Sequence, residues 1–166
     1  GQGHIEAAVM RDPSVTVLQG SHPDLKILAD TRTQKDTLAL FGGEYPGGAL
    51  YTTTAWIKSH EKEVQALTNA IVNTLAWIHS HTPEELMAKM PEGMVGKNKE
   101  LYLAALKNTI PMYSQTGMMD PKGADAVLAV FSEGSPEVAK ANIDVSKTWT
   151  NKYVEQARKA TGTNPK

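Results

Sequence analysis

Residues 61–78 read EKEVQALTNAIVNTLAWI and contain the clearest periodic pattern of the chain. Their apolar positions recur at spacings of three and four, which is the repeat of one face of an α-helix. Glutamates stand at the start, where the positive end of a helix dipole favours acidic side chains. The segment therefore predicts a long amphipathic helix whose inward positions are Val64, Leu67, Ile71, Leu75 and Ile78.

Helix signals continue towards the C-terminus. Thr82-Pro83-Glu84-Glu85 combines a capping-box pattern with a proline at the first helical position, and Pro91 ends the helix that it begins. Residues that typically begin or end a helix, among them proline, serine, asparagine and glycine, predict four more helices. These are expected over 98–110, over 120–134, from 135 onward and over 148–160.

The region before residue 56 has a different character, with short β-prone runs separated by turns. Strands are expected at Ile5–Met10, Leu25–Ala29 and Ala49–Thr54, and 14–19 fits either a strand or the first turn of a helix. The glycine-rich stretch 42–48 predicts a flexible loop. The chain is therefore expected to be α/β or α+β, with a few early strands followed by a helical shell.

Composition excludes several classes of function. The 166 residues carry 17 basic and 18 acidic side chains, so no basic excess favours nucleic acid as the main partner. Cysteine is absent, which excludes thiol catalysis and disulfides. No run of 18 apolar residues occurs. No secretory signal is visible, and the abrupt start at residues 1–4 suggests a mature fragment or a trimmed end.

No motif predicts catalysis or a metal site. His79 and His81 are two residues apart and point in different directions on a helix, and no His-Glu-x-x-His pattern exists. The sequence has no Gly-x-Ser-x-Gly elbow. No Lys-Ser/Thr follows the glycines of 42–48, which leaves either a mobile turn or a loop that contacts a ligand. We therefore expect no catalytic residue, no metal and no cofactor.

Arg11-Asp12 is a charged pair directly after a predicted strand. In α/β folds ligands bind at strand ends, so the pair is a candidate ligand contact. A solvated turn with a local ion pair is the simpler explanation of the same residues on physical grounds alone, and both interpretations remain open.

Several stretches resemble, in order and spacing, the C-terminal half of the nitrate/sulfonate/taurine-type solute-binding proteins of ABC transporters, a group that includes thiamine-pyrimidine proteins. The resemblance extends from Ile5 to Ala160. Its stretches are IEAAVM at 5–10 with Asp12-Pro13, LADTRT at 28–33, FGGEYP at 41–46, LYT at 50–52, VQALTNA at 64–70, AWI at 76–78 and IDVSKTWTNKY at 143–153.

The resemblance implies a type II periplasmic binding protein-like α/β fold, present here as an incomplete lobe. Residues 1–13 would hold the end of a second-lobe strand and the hinge crossover, 14–160 the C-terminal part of the first lobe, and 161–166 a disordered tail. Residues at the hinge or near the cleft would bind the ligand: Met10, Arg11, Asp12, Gly43, Glu44 and Tyr45. Arg32 is a further anion partner that the resemblance places less firmly.

The function implied by the resemblance is capture, without chemistry, of a small anionic or zwitterionic solute for an ABC importer. The expected partners are the solute, the transporter permease and a second chain that completes the fold. The expected location is the periplasm or cell exterior, with a lipid anchor on the full-length protein as one variant. The alternative is a thiamine-pyrimidine-related binding protein or enzyme of the same fold, although the absence of cysteine argues against that enzyme's chemistry.

Overall fold

The computed structural model describes residues 4–12 and 14–162, and this part of the chain is helical. Helices account for 63% of it, and none of its residues lies in a β-strand. The expected α/β, type II periplasmic binding protein-like lobe is therefore wrong. Strand propensity reflects packing against neighbouring strands, and here the β-prone segments have no such neighbours.

Ten α-helices are described, with 3₁₀ turns at Ile110–Met112 and Val145–Lys147. Their bounds are α1 Ser14–Ser21, α2 Gln34–Phe41, α3 Thr54–Ser59, α4 Glu61–Ser80, α5 Pro83–Lys89, α6 Glu92–Val95, α7 Lys99–Thr109, α8 Pro121–Gly134, α9 Pro136–Lys140 and α10 Lys152–Thr161. The predicted tail, 161–166, begins with the last residue of α10 and its C-cap Gly162, and its residues 163–166 fall outside the described residues, as does part of the predicted 1–13 crossover.

The predicted strands are replaced by helix or by irregular chain. The segment at 14–19, for which both states were open, is part of α1. The segments at 5–10, 25–29 and 49–53 are irregular. Three stretches of irregular chain, the irregular connections, therefore accompany the first three helices. Residues 4–12 precede α1, residues 22–33 join α1 to α2, and residues 42–53 join α2 to α3.

Helix starts that depend on local side chains are confirmed. Thr82 accepts a hydrogen bond from the Glu85 amide, and the Glu85 carboxylate accepts one from the Thr82 amide, so the predicted capping box is complete. Asp120 and Ser135 cap α8 and α9. The predicted start of the last helix at Thr148 is wrong, since Asn151 is the residue that precedes α10.

Two helices end in the same local motif, Trp-Ile-x-Ser-His. The imidazole of His60 stacks on Trp56 at the end of α3, with 4.6 Å between ring centroids. His81 stacks on Trp77 at the end of α4, with 4.4 Å. In each case Nδ1 of the histidine lies within hydrogen-bond distance of the tryptophan carbonyl and of the intervening serine hydroxyl. The serine and the histidine of the motif thus supply hydrogen-bond partners to the last turn of the helix.

The core lies mainly between α4 and α10. Val64, Thr68 and Val72 are the buried residues of α4, and Tyr153 and Ala157 face them from α10. The amide of the Gln65 side chain donates to the Tyr153 carbonyl at 2.9 Å, which fixes the two helices in register. Smaller contacts join α5 to α7, α8 to α9 and α1 to α7.

The predicted apolar stripe of α4 is only partly buried. Val64 lies in the core, whereas Leu67 and Ile71 are 48% and 42% exposed and Thr68 is buried instead. Because α10 packs along one side of α4, the part of the stripe that faces away from α10 remains uncovered. None of the helices in the described ranges is both long and apolar enough to cross a membrane.

Candidate functional site

A charged cluster forms where the irregular connections 4–12 and 22–33 approach each other. Arg32 is its centre: Nε donates to Oδ1 and Oδ2 of Asp30 at 2.9 and 3.1 Å, and Nη2 donates to Oδ2. Nη1 donates to Oε1 of Gln19 at 3.2 Å and lies 3.8 Å from Oδ2 of Asp12. We call Asp12, Gln19, Asp30 and Arg32 the charged cluster.

Asp12 is the most buried member of the charged cluster. Its side chain is 6% exposed, and Oδ1 accepts hydrogen bonds from the amide and the hydroxyl of Thr16. Oδ2 is buried and has no hydrogen-bond partner among the described residues. A buried carboxylate oxygen without a donor is costly, so the nearby Arg32 charge is what compensates Asp12.

The exposed side of the charged cluster is dominated by the Asp30–Arg32 pair. Hydrogen bonds from the Arg32 side chain lower the pKa of Asp30 below its ordinary value, and the hydrogen bond to Asp30 raises the pKa of Arg32. Both side chains are about 30% exposed. The pair therefore stays ionised across the physiological range and presents charge of both signs to solvent.

Arg11 and Met10 adjoin the charged cluster without joining it. Arg11 is exposed, and its guanidinium forms no ion pair with a described residue. Met10 is 42% exposed. Arg11 is therefore an exposed cation that neighbours Asp12 in the chain and forms no ion pair with a described residue.

The second predicted group, Gly43-Glu44-Tyr45, lies elsewhere. It follows α2, whereas Arg32 precedes α2, so eight helical residues, about 12 Å, separate the two groups along the chain. Gln34 Nε2 donates to Oε1 of Glu44 at 2.6 Å, and Tyr45 packs against Phe41 with 4.6 Å between ring centroids. The structure thus brings Asp12 to Arg32. The Glu44 side chain reaches Gln34, two residues beyond Arg32, but among the described residues the 43–45 loop forms no hydrogen bond or ion pair with the charged cluster.

The 43–45 loop instead rests on the first turn of α8. A Cβ atom on Gly43 would lie 3.1 Å from the Lys122 carbonyl oxygen, and one on Gly123 would lie 3.1 Å from the Glu44 carbonyl oxygen and 3.2 Å from Pro46 Cδ. These contacts are tighter than an added methyl group tolerates, so the two glycines permit the close approach of the loop to the helix.

Replacing Gly123 with alanine is expected to destabilise the protein by about 1–2 kcal/mol, because the new methyl group must push the 44–46 backbone away. Gly134 in the same helix has open space around its Cβ position, so Gly134→Ala should instead stabilise by about 0.5–1 kcal/mol. Urea unfolding midpoints measure both. Equal shifts of the same sign in the two variants would contradict the close packing described above.

An apolar groove of about 350 Å³ runs along the other side of α8. Its walls come from α8, from residues 143–149 and from Pro46 and Ala49 of the third connection. Nε1 of Trp149, on the groove wall, is buried and has no acceptor among the described residues. The groove can accommodate apolar groups.

Metal chemistry finds no support in the described ranges. They contain no group of three or more histidine, aspartate or glutamate side chains arranged to hold an ion. His79 and His81 face different partners: Nε2 of His79 lies 3.1 Å from the Tyr113 carbonyl oxygen, and His81 stacks on Trp77. This placement agrees with the different directions that their spacing predicts.

Two features of these sites went unnoticed in the sequence. Gln19 is a polar residue in an apolar helix segment, and nothing local indicates that it meets Arg32, thirteen residues away. The Trp149 groove combines α8 with two distant loops. The spacing of neighbouring residues in the sequence does not predict either feature.

Comparison with known proteins gives one structural likeness. No protein-family model matches the sequence, and neither does any protein of curated function. A solved structure of a protein from Bordetella bronchiseptica RB50 is similar, with a TM-score of 0.85 and 35% sequence identity over 91% of this chain. The match covers 47% of the Bordetella protein, so this chain spans about half its length. The function of that protein is unknown.

Proposed function

We propose that this protein captures a small anionic or zwitterionic solute without changing it, as the solute-binding component of an ABC importer. The observation that carries the proposal is the charged cluster. It joins Asp12, from one stretch that resembles the solute-binding proteins, to Asp30 and Arg32, from a second such stretch. Residues that the resemblance selects independently therefore meet at one place.

The chemistry of the charged cluster suits recognition. Arg32 is held by Asp30 and Gln19, while Arg11, next to Asp12 in the chain, has an exposed guanidinium that forms no ion pair with a described residue. A planar or tetrahedral oxyanion accepts paired hydrogen bonds from such a group. The exposed edge of Asp30 offers an acceptor for a solute ammonium. Ser21, Ser59 and Ser80 each lie within hydrogen-bond distance of a histidine Nδ1, but each hydroxyl also donates to a carbonyl of its own helix. These pairs therefore cap helix ends rather than activate a nucleophile, which favours binding over catalysis.

Titration calorimetry on the intact protein with nitrate, methanesulfonate, taurine and an aminopyrimidine tests the proposal. We expect saturable binding of at least one of the three anionic or zwitterionic compounds. Arg11→Ala should weaken that binding at least tenfold, since a charge-assisted hydrogen bond contributes about 1.5–3 kcal/mol. Lys62→Ala is the matched control, because it removes an exposed positive charge from α4 and should leave the affinity unchanged.

Three results would overturn the proposal. Binding of the pyrimidine alone would favour the thiamine-pyrimidine alternative, and turnover of any of the compounds would show an enzyme. An equal loss of affinity in Arg11→Ala and Lys62→Ala would show that net charge, rather than the charged cluster, attracts the solute. The unfolding midpoint of both variants should equal that of the unsubstituted protein, which separates binding effects from stability effects.

A further inference from the structure

We propose that the apolar surface exposed on the irregular connections of this chain is buried by a second polypeptide region of about the same length, equivalent to the part of the Bordetella bronchiseptica protein that lies outside the match. The inference does not depend on the solute. It rests on the amount of exposed surface, on where that surface lies, and on the length of the similar protein.

The exposed surface is far larger than a compact chain of this size requires. The accessible surface is 12431 Å² for a mass of 18.0 kDa. A compact monomer of that mass exposes about 8,000 Å². The surplus of about 4,400 Å² exceeds the share that one partner contributes to most permanent interfaces, which bury about 2,000–5,000 Å² in total. A surplus of this size is typical of an incomplete hydrophobic core.

Large apolar side chains of the irregular connections are part of this surface. The most exposed are Ile5 (74%), Val9 (103%), Leu28 (86%) and Tyr51 (90%). We call residues 5–10, 25–28 and 49–52 the open segments. Isolated exposed apolar residues are ordinary on a protein surface. Exposed apolar residues that recur in several segments instead indicate a surface that binds another molecule.

The main chain of two of the open segments, 5–10 and 49–52, also lacks partners among the described residues. Between described residues, no main-chain hydrogen bond is formed by the amides or carbonyls of 5–10 or 49–52. Main-chain groups that become buried must be paired, so the covering polypeptide has to supply donors and acceptors as well as apolar side chains. A lipid or detergent surface supplies none, which favours polypeptide.

The Bordetella protein indicates the size of the covering region. This chain matches 47% of that protein at a TM-score of 0.85, which leaves 53% of the protein outside the match. The remainder is thus slightly longer than the matched part. A region of that size can cover both the open segments and the apolar groove at Trp149, whose buried Nε1 needs an acceptor.

Cysteine labelling tests the proposal, because the chain contains no natural cysteine. The protein is produced from its complete gene with a single substitution, Val9→Cys, Leu28→Cys or Tyr51→Cys, and Asn73→Cys on the exposed side of α4 is the control. The rate of modification by N-ethylmaleimide is then compared in native buffer and in urea. We expect the three open-segment cysteines to react at least tenfold more slowly than the control in native buffer, and at the same rate as the control in urea.

Equal native rates at all four positions would overturn the proposal. Native mass spectrometry identifies the occupant: an assembly whose mass is a whole multiple of 18.0 kDa would show a second copy of this chain and would also overturn it. Hydrogen exchange on the unsubstituted protein guards against variants that fail to fold. It should show slow exchange of the amides of 5–10 and 49–52, and fast exchange there would contradict the proposal.

Discussion

Arg32→Ala is expected to lower the free energy of unfolding by about 2–3 kcal/mol. The change removes the forked interaction with Asp30 and the hydrogen bond to Gln19. It also leaves the Asp12 carboxylate, 6% exposed, without its only nearby cation among the described residues. Loss of the compensating charge beside a buried carboxylate costs about 3–5 kcal/mol, and the partial exposure of the Asp30 pair reduces the total.

Urea unfolding monitored by circular dichroism measures this loss. Arg11→Ala is the matched control, since it removes a neighbouring but exposed arginine and should shift stability by less than about 0.5 kcal/mol. Arg32→Lys should fall between the two, because an ammonium keeps the charge but not the planar fork. If Arg11→Ala and Arg32→Ala were equally destabilised, the charged cluster would not hold the two connections together.

The same variant should show a defined pH dependence. Hydrogen bonding to Arg32 holds the pKa of Asp30 below its usual value of 3.8. A carboxyl whose pKa is lower in the folded state stabilises the protein at pH above its unfolded value, and this contribution disappears as the pH falls through the folded value. The stability difference between the unsubstituted protein and Arg32→Ala should therefore be constant above about pH 5 and shrink below pH 3.8.

Leu86→Ala is expected to have an effect of similar size for a different reason. Leu86 is 4% exposed in α5, the helix that packs against α7. Removing its side chain loses buried apolar area and leaves a cavity, which together cost about 2–5 kcal/mol. Leu67→Ala is the control: Leu67 is 48% exposed on α4, and its truncation should cost less than about 1 kcal/mol.

Urea unfolding of both leucine variants distinguishes the packing described here from the sequence-based one. The apolar spacing of 61–78 places Leu67 inside, whereas the structure leaves it half-exposed. A cost for Leu67→Ala that equals the cost for Leu86→Ala would show that the uncovered side of α4 is buried in the folded chain, contrary to the structure.

The sequence-based predictions are accurate where the interactions are between residues close together in the sequence, and fail where the interactions are between distant residues. The capping box at Thr82 and the cap at Asp120 involve residues within three positions of each other, and both are confirmed. The start of α10 depends on a distant contact, since the Asn151 side chain bonds both the amide and the carbonyl of Met119. Thr148 and Asn151 are both residue types that cap helices, and the long-range contact that decides for Asn151 was not visible in the sequence.

The strand predictions failed because a strand is not a local structure. Leu25–Ala29 and Ala49–Thr54 have β-prone compositions, but propensity alone cannot provide the neighbouring chain that a strand requires. The candidate site was predictable in part. Arg11, Asp12 and Arg32 were all singled out from the sequence, whereas the contact between Asp12 and Arg32 spans twenty residues and needed the structure.

The Trp-Ile-x-Ser-His motifs have a consequence for the denatured chain. Each motif contains both the carbonyls left over at its helix end and the groups that satisfy them, all within five residues. Closure of this kind needs no tertiary contact, so the stack of histidine on tryptophan and its hydrogen bonds can form transiently in the unfolded chain. Folding would then begin from an ensemble in which two helix termini are already defined, which lowers the conformational entropy that the rest of the chain has to lose.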